Sequence, residues 1–288
     1  MAIKGLTTPV FGDYNYNGAT VSYTNGFVAG SAIEYGLEIE TSDNNPLYGD
    51  DHIIENDYGT FNGGTLTLNT SDLDQYTSKR LLGLKEIQYE EGDVSVTELV
   101  TDDDAKSTPK GFGIIETHQI NDIDKYRAVI LCKVAMGIPA EAATTKGESI
   151  EWQTKEIEGT VNRSDQNDSK YKNPWKREAW FDDRESALEY LKTVLNVMEL
   201  LEVESVAGTE EGDTVITITP AAASGNSYVY KKQDDLPSYK QDLTSWTALE
   251  PGENIQIANG TTICVAEVNQ EKKAVKAGIV TISAKAGE

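Results

Sequence analysis

The chain has 288 residues and a formal charge of −23, from 48 acidic and 25 basic side chains. That length holds one large domain or two ordinary ones, each able to bury a core. The charge makes the chain a poor candidate for free binding to DNA, RNA or anionic lipid, where Lys and Arg must neutralise phosphate.

Tyr (14) outnumbers Phe (5), and Gly reaches 24, which points to a β-rich chain with amphipathic sheets rather than a helical bundle. Met1 to Leu6 runs into polar, Gly-rich sequence with no apolar h-region, so no secretory signal is expected. The longest apolar runs, such as Ala128 to Cys132, are too short to cross a bilayer. Cys132 and Cys264 both sit in apolar strand patterns and read as buried, reduced thiols.

In chain order, the first clear strand is Ile33 to Thr41. Ile33, Tyr35, Leu37 and Ile39 fall on one face; Glu34, Gly36, Glu38 and Glu40 fall on the other. The polar stretch Thr41 to Gly59 reads as a long loop, and such loops are usually functional or mobile. Thr60 to Thr70 is a second alternating strand, with Leu66 and Leu68 opposed to Thr65, Thr67 and Asn69. Cap-type residues from Thr70 to Asp74 then open a short helix that Gly83 stops after Leu82. Glu90-Glu91-Gly92-Asp93 reads as a hairpin turn, and Asp102-Asp103-Asp104 as a solvated acidic loop.

Further strands are expected at Gly111 to Gln119, Tyr126 to Met136, Ile150 to Asn162 and Lys176 to Phe181. Tyr126 to Val134 is the most apolar, so it should be central and covered on both faces. Val161 to Trp175 is a turn-rich excursion that suits a second contact arm. Asp182 to Leu195 is the stronger helix: acids occupy its first turn, and Ala187, Leu188, Leu191, Val194 and Leu195 form one apolar stripe. The acid-rich, Gly-containing stretch 202–212 reads as an exposed linker between a core domain, 1–201, and a C-terminal domain, 213–288. The latter shows short strands at Thr214–Pro220, Tyr228–Tyr230, Glu253–Ala258, Thr262–Val268 and Gly278–Ala284, the spacing of a small β-sandwich or barrel.

Catalytic patterns are missing. The two histidines, His52 and His118, lie near no G-x-S-x-G elbow and share no zinc spacing with the cysteines. No phosphate-cradling glycine motif follows a strand, and no EF-hand pattern surrounds the acidic loops. Carboxylates are too numerous for any pair to mark a glycosidase. Trp152, Trp175, Trp180 and Trp246 fit core positions better than a sugar-binding platform. The residues therefore predict no enzyme, cofactor or metal.

The order of the pieces is more specific. Leu47-Tyr48-Gly49-Asp50-Asp51 in the polar loop, the Gly64 to Leu68 strand feeding a short helix, Glu158-Gly159-Thr160, a Trp-rich hairpin and a late amphipathic helix follow one another. This arrangement resembles the major tail proteins of long-tailed bacteriophages, closest to the Gram-positive siphophage type of phages phi13 and TP901-1. The resemblance covers residues 1 to 201, and residues 213 to 286 resemble the small β-domain often appended to such proteins.

It implies a mainly β fold: a tail-tube β-sandwich or barrel flanked by a helix, with a small C-terminal Ig-like decoration domain. It also implies stacked hexameric rings that conduct the genome, with no catalytic site or cofactor. Under it, the inter-ring stacking loop would use Asn45, Pro46, Leu47, Tyr48, Asp50 and Asp51, and Glu34, Glu38, Glu40, Thr65, Thr67 and Asn69 would face the lumen. The implied partners are further copies of the chain, a tape-measure protein, and tail-terminator and distal-tail proteins. DNA would pass without specific binding, and no membrane is involved. Assembly would occur in the host cytoplasm and the product would reside in the virion tail. The alternatives are a tube protein of a contractile tail or a phage-like bacteriocin, a carbohydrate-binding surface module, and, least supported, a hydrolase with an acid pair.

Overall fold

The computed structural model describes residues 2–92, 94–141, 145 and 154–287. It is mainly β with two helices, and divides into two compact units, Met1–Leu195 and Asn196–Glu288. Residues 150–153 of the expected Ile150 to Asn162 strand, including Trp152, lie outside the described residues, as does Asp93.

In the first unit the strands are β1 (Ala2–Tyr16), β2 (Val21–Val28), β3 (Ala32–Thr41), β4 (Asn45–Gly49), β5 (His52–Asp57) and β6 (Phe61–Thr70). Helix α1 (Gln75–Leu82) follows, then β7 (Lys85–Glu91), β8 (Val94–Val100), β9 (Lys110–Ile120), β10 (Ile123–Met136), β11 (Lys155–Asn162), β12 (Lys176–Phe181) and α2 (Arg184–Leu195). The main sheet runs β2-β1-β9-β10-β11-β6-β3, with β12 paired to the first half of β10. It curls, so that Phe27 of β2 and Leu37 of β3, from opposite edges, join one core with Phe11, Phe112, Leu131 and Leu66.

β10 is central and covered on both faces. Val129 and Leu131 point into the core, while α2 lies over the other face of β1, β9 and β10. That seam needs small residues: a Cβ on Gly113 would stand 2.8 Å from Leu195 Cδ1 and 2.9 Å from Val10 Cγ2. Ala187, Leu191 and Leu195 are the fully buried part of the helix stripe. Asp183 accepts from the Ser186 amide (2.7 Å), as an N-cap should. In α1, Asp74 accepts from the Thr77 amide and Gly83 closes the helix at φ 69, where a Cβ would be strained.

β1, the longest strand, was not legible as one. Its register with β9 shifts between Ile3 and Gly5 and again between Thr7 and Val10, which destroys the period-two pattern. The Val161 to Trp175 excursion is no free arm. Asp165 bonds to Lys133 (2.6 Å) and Tyr14 (2.9 Å), Asp168 caps its own turn, and Trp175 stacks on Phe61 with centroids 4.5 Å apart.

The second unit has β13 (Glu199–Leu200), β14 (Glu202–Ala207), β15 (Asp213–Thr219), β16 (Ser227–Lys231), β17 (Thr247–Leu249), β18 (Asn254–Gln256), β19 (Thr262–Val268) and β20 (Ala274–Thr281). They form one sheet ordered β13-β20-β19-β16-β17 and another ordered β14-β15-β18. Ile216 and Ile257 meet Tyr228, Ile263 and Val265 in a shared core. The expected linker 202–212 is thus half strand: β14 pairs with β15 from Glu202↔Thr219 to Ala207↔Thr214. Its alternating glutamates are the solvent face of an edge strand, which composition alone does not distinguish from a linker.

The unit boundary has a consequence for truncation. A chain ending at Leu195 should be soluble and unfold cooperatively. One ending at Glu204 retains Met198 and Leu201, both buried in cores it would lack, together with half of β14. We expect the 1–204 chain to self-associate on size-exclusion chromatography and the 1–195 chain not to. Equal behaviour would place the boundary elsewhere.

Candidate functional site

His52 sits exposed at a ribbon tip, its Nδ1 2.9 Å from the Asp50 carbonyl oxygen. His118 is buried, with Nε2 2.9 Å from Glu116 and its ring against Trp180. Among the described residues no three His, Cys, Asp or Glu side chains converge to hold a metal. The Asp102 to Asp104 loop is bound to Lys85, whose ammonium holds the Asp102 carboxyl below the usual range. Burial pushes the Cys132 thiol up to about 11 and the Cys264 thiol up to about 12, leaving both as unreactive thiols. Trp246 is buried and Trp175 is stacked; Trp180 is 44% exposed, so the described tryptophans form no platform. No helix of the described residues is long and apolar enough to cross a membrane.

What stands out is surface. The Thr41 to Gly59 stretch, read from sequence as a loop, is a β4–β5 ribbon turned by Asp50 (φ 49) and Asp51 (φ 62), the pair of left-handed residues of a tight hairpin turn. Asn45 pairs with Asp57, Pro46 with Asn56, Leu47 with Glu55 and Tyr48 with Ile53. Leu47 (60%), Tyr48 (64%), Ile54 (61%) and Tyr58 (73%) are exposed. A two-stranded ribbon that buries nothing is marginal in water, and this one keeps its apolar residues outside.

A second ribbon, β7–β8, went unrecognised in sequence except for its turn. Its register places Ile87, Tyr89, Val94 and Val96 on one face and Glu86, Gln88, Ser95 and Thr97 on the other. Alternation on each side of Glu90 to Asp93 was the signal available, diluted by the glutamates.

The polar residues of β3 and β6 share one face. Glu34 pairs with Asn69, Gly36 with Thr67 and Glu38 with Thr65, while Tyr35 and Leu37 pair with Leu68 and Leu66 on the core side. Glu40 pairs with Gly63. β11 extends the same rows: Glu156 lies opposite Asn69, Glu158 opposite Thr67 and Thr160 opposite Thr65. The helix α2 packs on β1, β2, β9, β10 and β12, away from this face. Glu34, Glu38, Glu40, Glu156 and Glu158 are all exposed. Lys133, opposite Asn162 at the end of β11, is already tied to Asp165. Behind the face, burial and the Glu116 carboxylate push the Tyr35 hydroxyl up to about 12.

Two apolar positions depart from the expected covered face. Ile33 falls where the β3–β6 register shifts and is 49% exposed; Ile39, near the end of β3, is 39% exposed. Among the described residues β3 is also the last strand of the sheet, with no strand paired to its outer edge. No family model matches the chain, and no curated protein matches it.

Proposed function

We propose that the chain is a structural subunit of a bacteriophage tail tube, assembling with copies of itself into stacked hexameric rings that conduct the genome. The observation that carries this reading is the β4–β5 ribbon: a projecting hairpin with Leu47, Tyr48, Ile53 and Ile54 exposed calls for a partner surface, and a repeating assembly supplies one. On this reading Asn45, Pro46, Leu47, Tyr48, Asp50 and Asp51 make the contact between rings. The polar face of Glu34, Glu38, Glu40, Thr65, Thr67 and Asn69, widened by Glu156 and Glu158, lines the lumen. An acidic wall suits a conduit because phosphate finds no base whose contact would release counterions. The second unit is an appended Ig-like decoration. The chain would act without catalysis, in the virion tail after assembly in the host cytoplasm, between tape-measure, terminator and distal-tail proteins. A tube of a contractile tail or a phage-like bacteriocin would use the same surfaces.

Purified protein examined by mass photometry and negative-stain microscopy tests the reading: rings or tubes are expected at micromolar concentration. Salt should promote them. Subunits of −23 repel, and the Debye length falls from about 30 Å at 0.01 M to about 8 Å at 0.15 M. A strict monomer at every concentration and salt would count against the tube.

A further inference from the structure

Among the described residues Arg184, like Arg163 and Arg177, pairs with no carboxylate, and of the three it is the one that lines a cavity. Its Nη2 donates to Thr8 Oγ1 (2.9 Å) and Thr7 Oγ1 (3.3 Å), both neutral hydroxyls. It lines a cavity of about 280 Å³ with Leu6, Thr7, Thr8, Val28 and Ala32. The slot exists because β2 pairs with β1 only from Val10 onward, leaving Leu6 to Thr8 with no hydrogen-bonded strand on that side. Thr8 holds φ 58, a left-handed conformation that β-branched residues rarely take. The lining exposes more polar than apolar surface, and its guanidinium meets only hydroxyls, which suits a carboxylate ligand.

The chain carries such a ligand, out of its own reach. The stretch from Thr41 to Gly59 contains Asp43, Asp50, Asp51, Glu55 and Asp57 and no Lys or Arg. Its tip, Asp50-Asp51, is flanked by Tyr48 and Ile53. The slot lies at the start of β3, at Ala32, while the ribbon leaves from the end of β3, after Thr41. Ten residues of strand separate the two ends, about 30 Å. A plug at one end of a strand and a socket at the other engage between copies stacked in the same direction.

We infer that the Arg184 slot receives the Asp50–Asp51 tip of the β4–β5 ribbon from a second copy of the chain, with a tip carboxylate on the guanidinium. This rests on the tube reading and supplies the socket that reading lacks. One close pair is screened less by salt than the long-range repulsion of the whole chain, so it is compatible with salt-promoted assembly.

Charge exchange tests it. Arg184→Glu should raise the concentration needed for assembly by about tenfold or more, as close interfacial charge pairs do. Asp50→Lys with Asp51→Lys should do the same; lysine adopts positive φ in this chain at Lys240 and Lys272, so the turn accepts it. The triple variant carrying all three changes should assemble at near the original concentration. Lys231→Glu, the same charge change as Arg184→Glu but in the second unit, controls for net charge in that variant, and circular dichroism checks the fold of each variant. If the original chain forms tubes and Arg184→Glu forms them equally well, or if the triple variant is no better than its parents, the socket is wrong and the tube stands. If the original chain never assembles, the tube reading fails and the socket with it.

Discussion

Replacing residues 43–57 with a short Gly-Ser linker should leave a folded, soluble chain that no longer forms tubes. The folded state loses little, because Leu47, Tyr48, Ile53 and Ile54 are exposed and belong to no core of the first unit. The ends of the ribbon are tied locally, by Ser42 N–H to the Thr60 carbonyl and Gly59 N–H to Asn44 Oδ1, close enough for a short linker to bridge. Assembly loses far more. Burying two such side chains at about 2 kcal/mol each corresponds to about a thousandfold in the concentration at which rings stack. Circular dichroism should be unchanged apart from the lost ribbon, and microscopy should show monomers or single rings. Tubes of undiminished length would remove the ribbon from the interface.

The second large effect concerns DNA. Changing Glu34, Glu38 and Glu40 to Lys together should give tubes that hold DNA at low salt and slow its passage. All three side chains are exposed, and among the described residues none carries an ion pair whose loss would unfold the strand. The reversed residues would face Glu156 and Glu158 across β6, so the wall becomes mixed rather than wholly basic. Repeated around a ring, the lysines still provide many phosphate contacts. Retention should then fall steeply with salt, by about 10³ or more between 50 and 200 mM if 6–10 phosphates are engaged. Tubes that neither retain DNA nor slow ejection would move this face out of the lumen, as would a structure of the assembly with the three glutamates on the outside.

Much of the first unit was legible because period-two alternation is unbroken where it matters. Tyr35, Leu37, Leu66 and Leu68 separate cleanly from Glu34, Glu38, Thr65 and Thr67, and the β3–β6 register keeps them so. The unrelieved apolar run of β10 announced a strand buried on both sides. Elsewhere the pattern was locally broken. The shifts in β1 hid the longest strand. Both ribbons mix apolar residues with acids because neither face meets a core of its own chain. β14 resembled a linker because Glu202 and Glu204 alternate with Val203 and Ser205. The Arg184 slot was beyond sequence reading, since it joins residues 176 positions apart. Glu156 and Glu158 were visible as the polar side of a strand, but only its pairing with β6 shows which glutamates they accompany.

The free edge of β3 also bears on symmetry. Two chains meeting β3 to β3 in antiparallel fashion, centred on Leu37, would set Glu34 of each against Glu40 of the other. Like charges directly opposed across a strand pair are destabilising. The edge therefore disfavours the isologous twofold dimer, the commonest way for identical sheets to associate. An unlike surface on the next copy meets no such repulsion. What remains open to the strand is heterologous contact, which closes into a ring or continues as a helix according to the rotation between neighbours. In the proposed assembly the same glutamates would favour cyclic or helical order, by penalising the pairing that would stop growth at two.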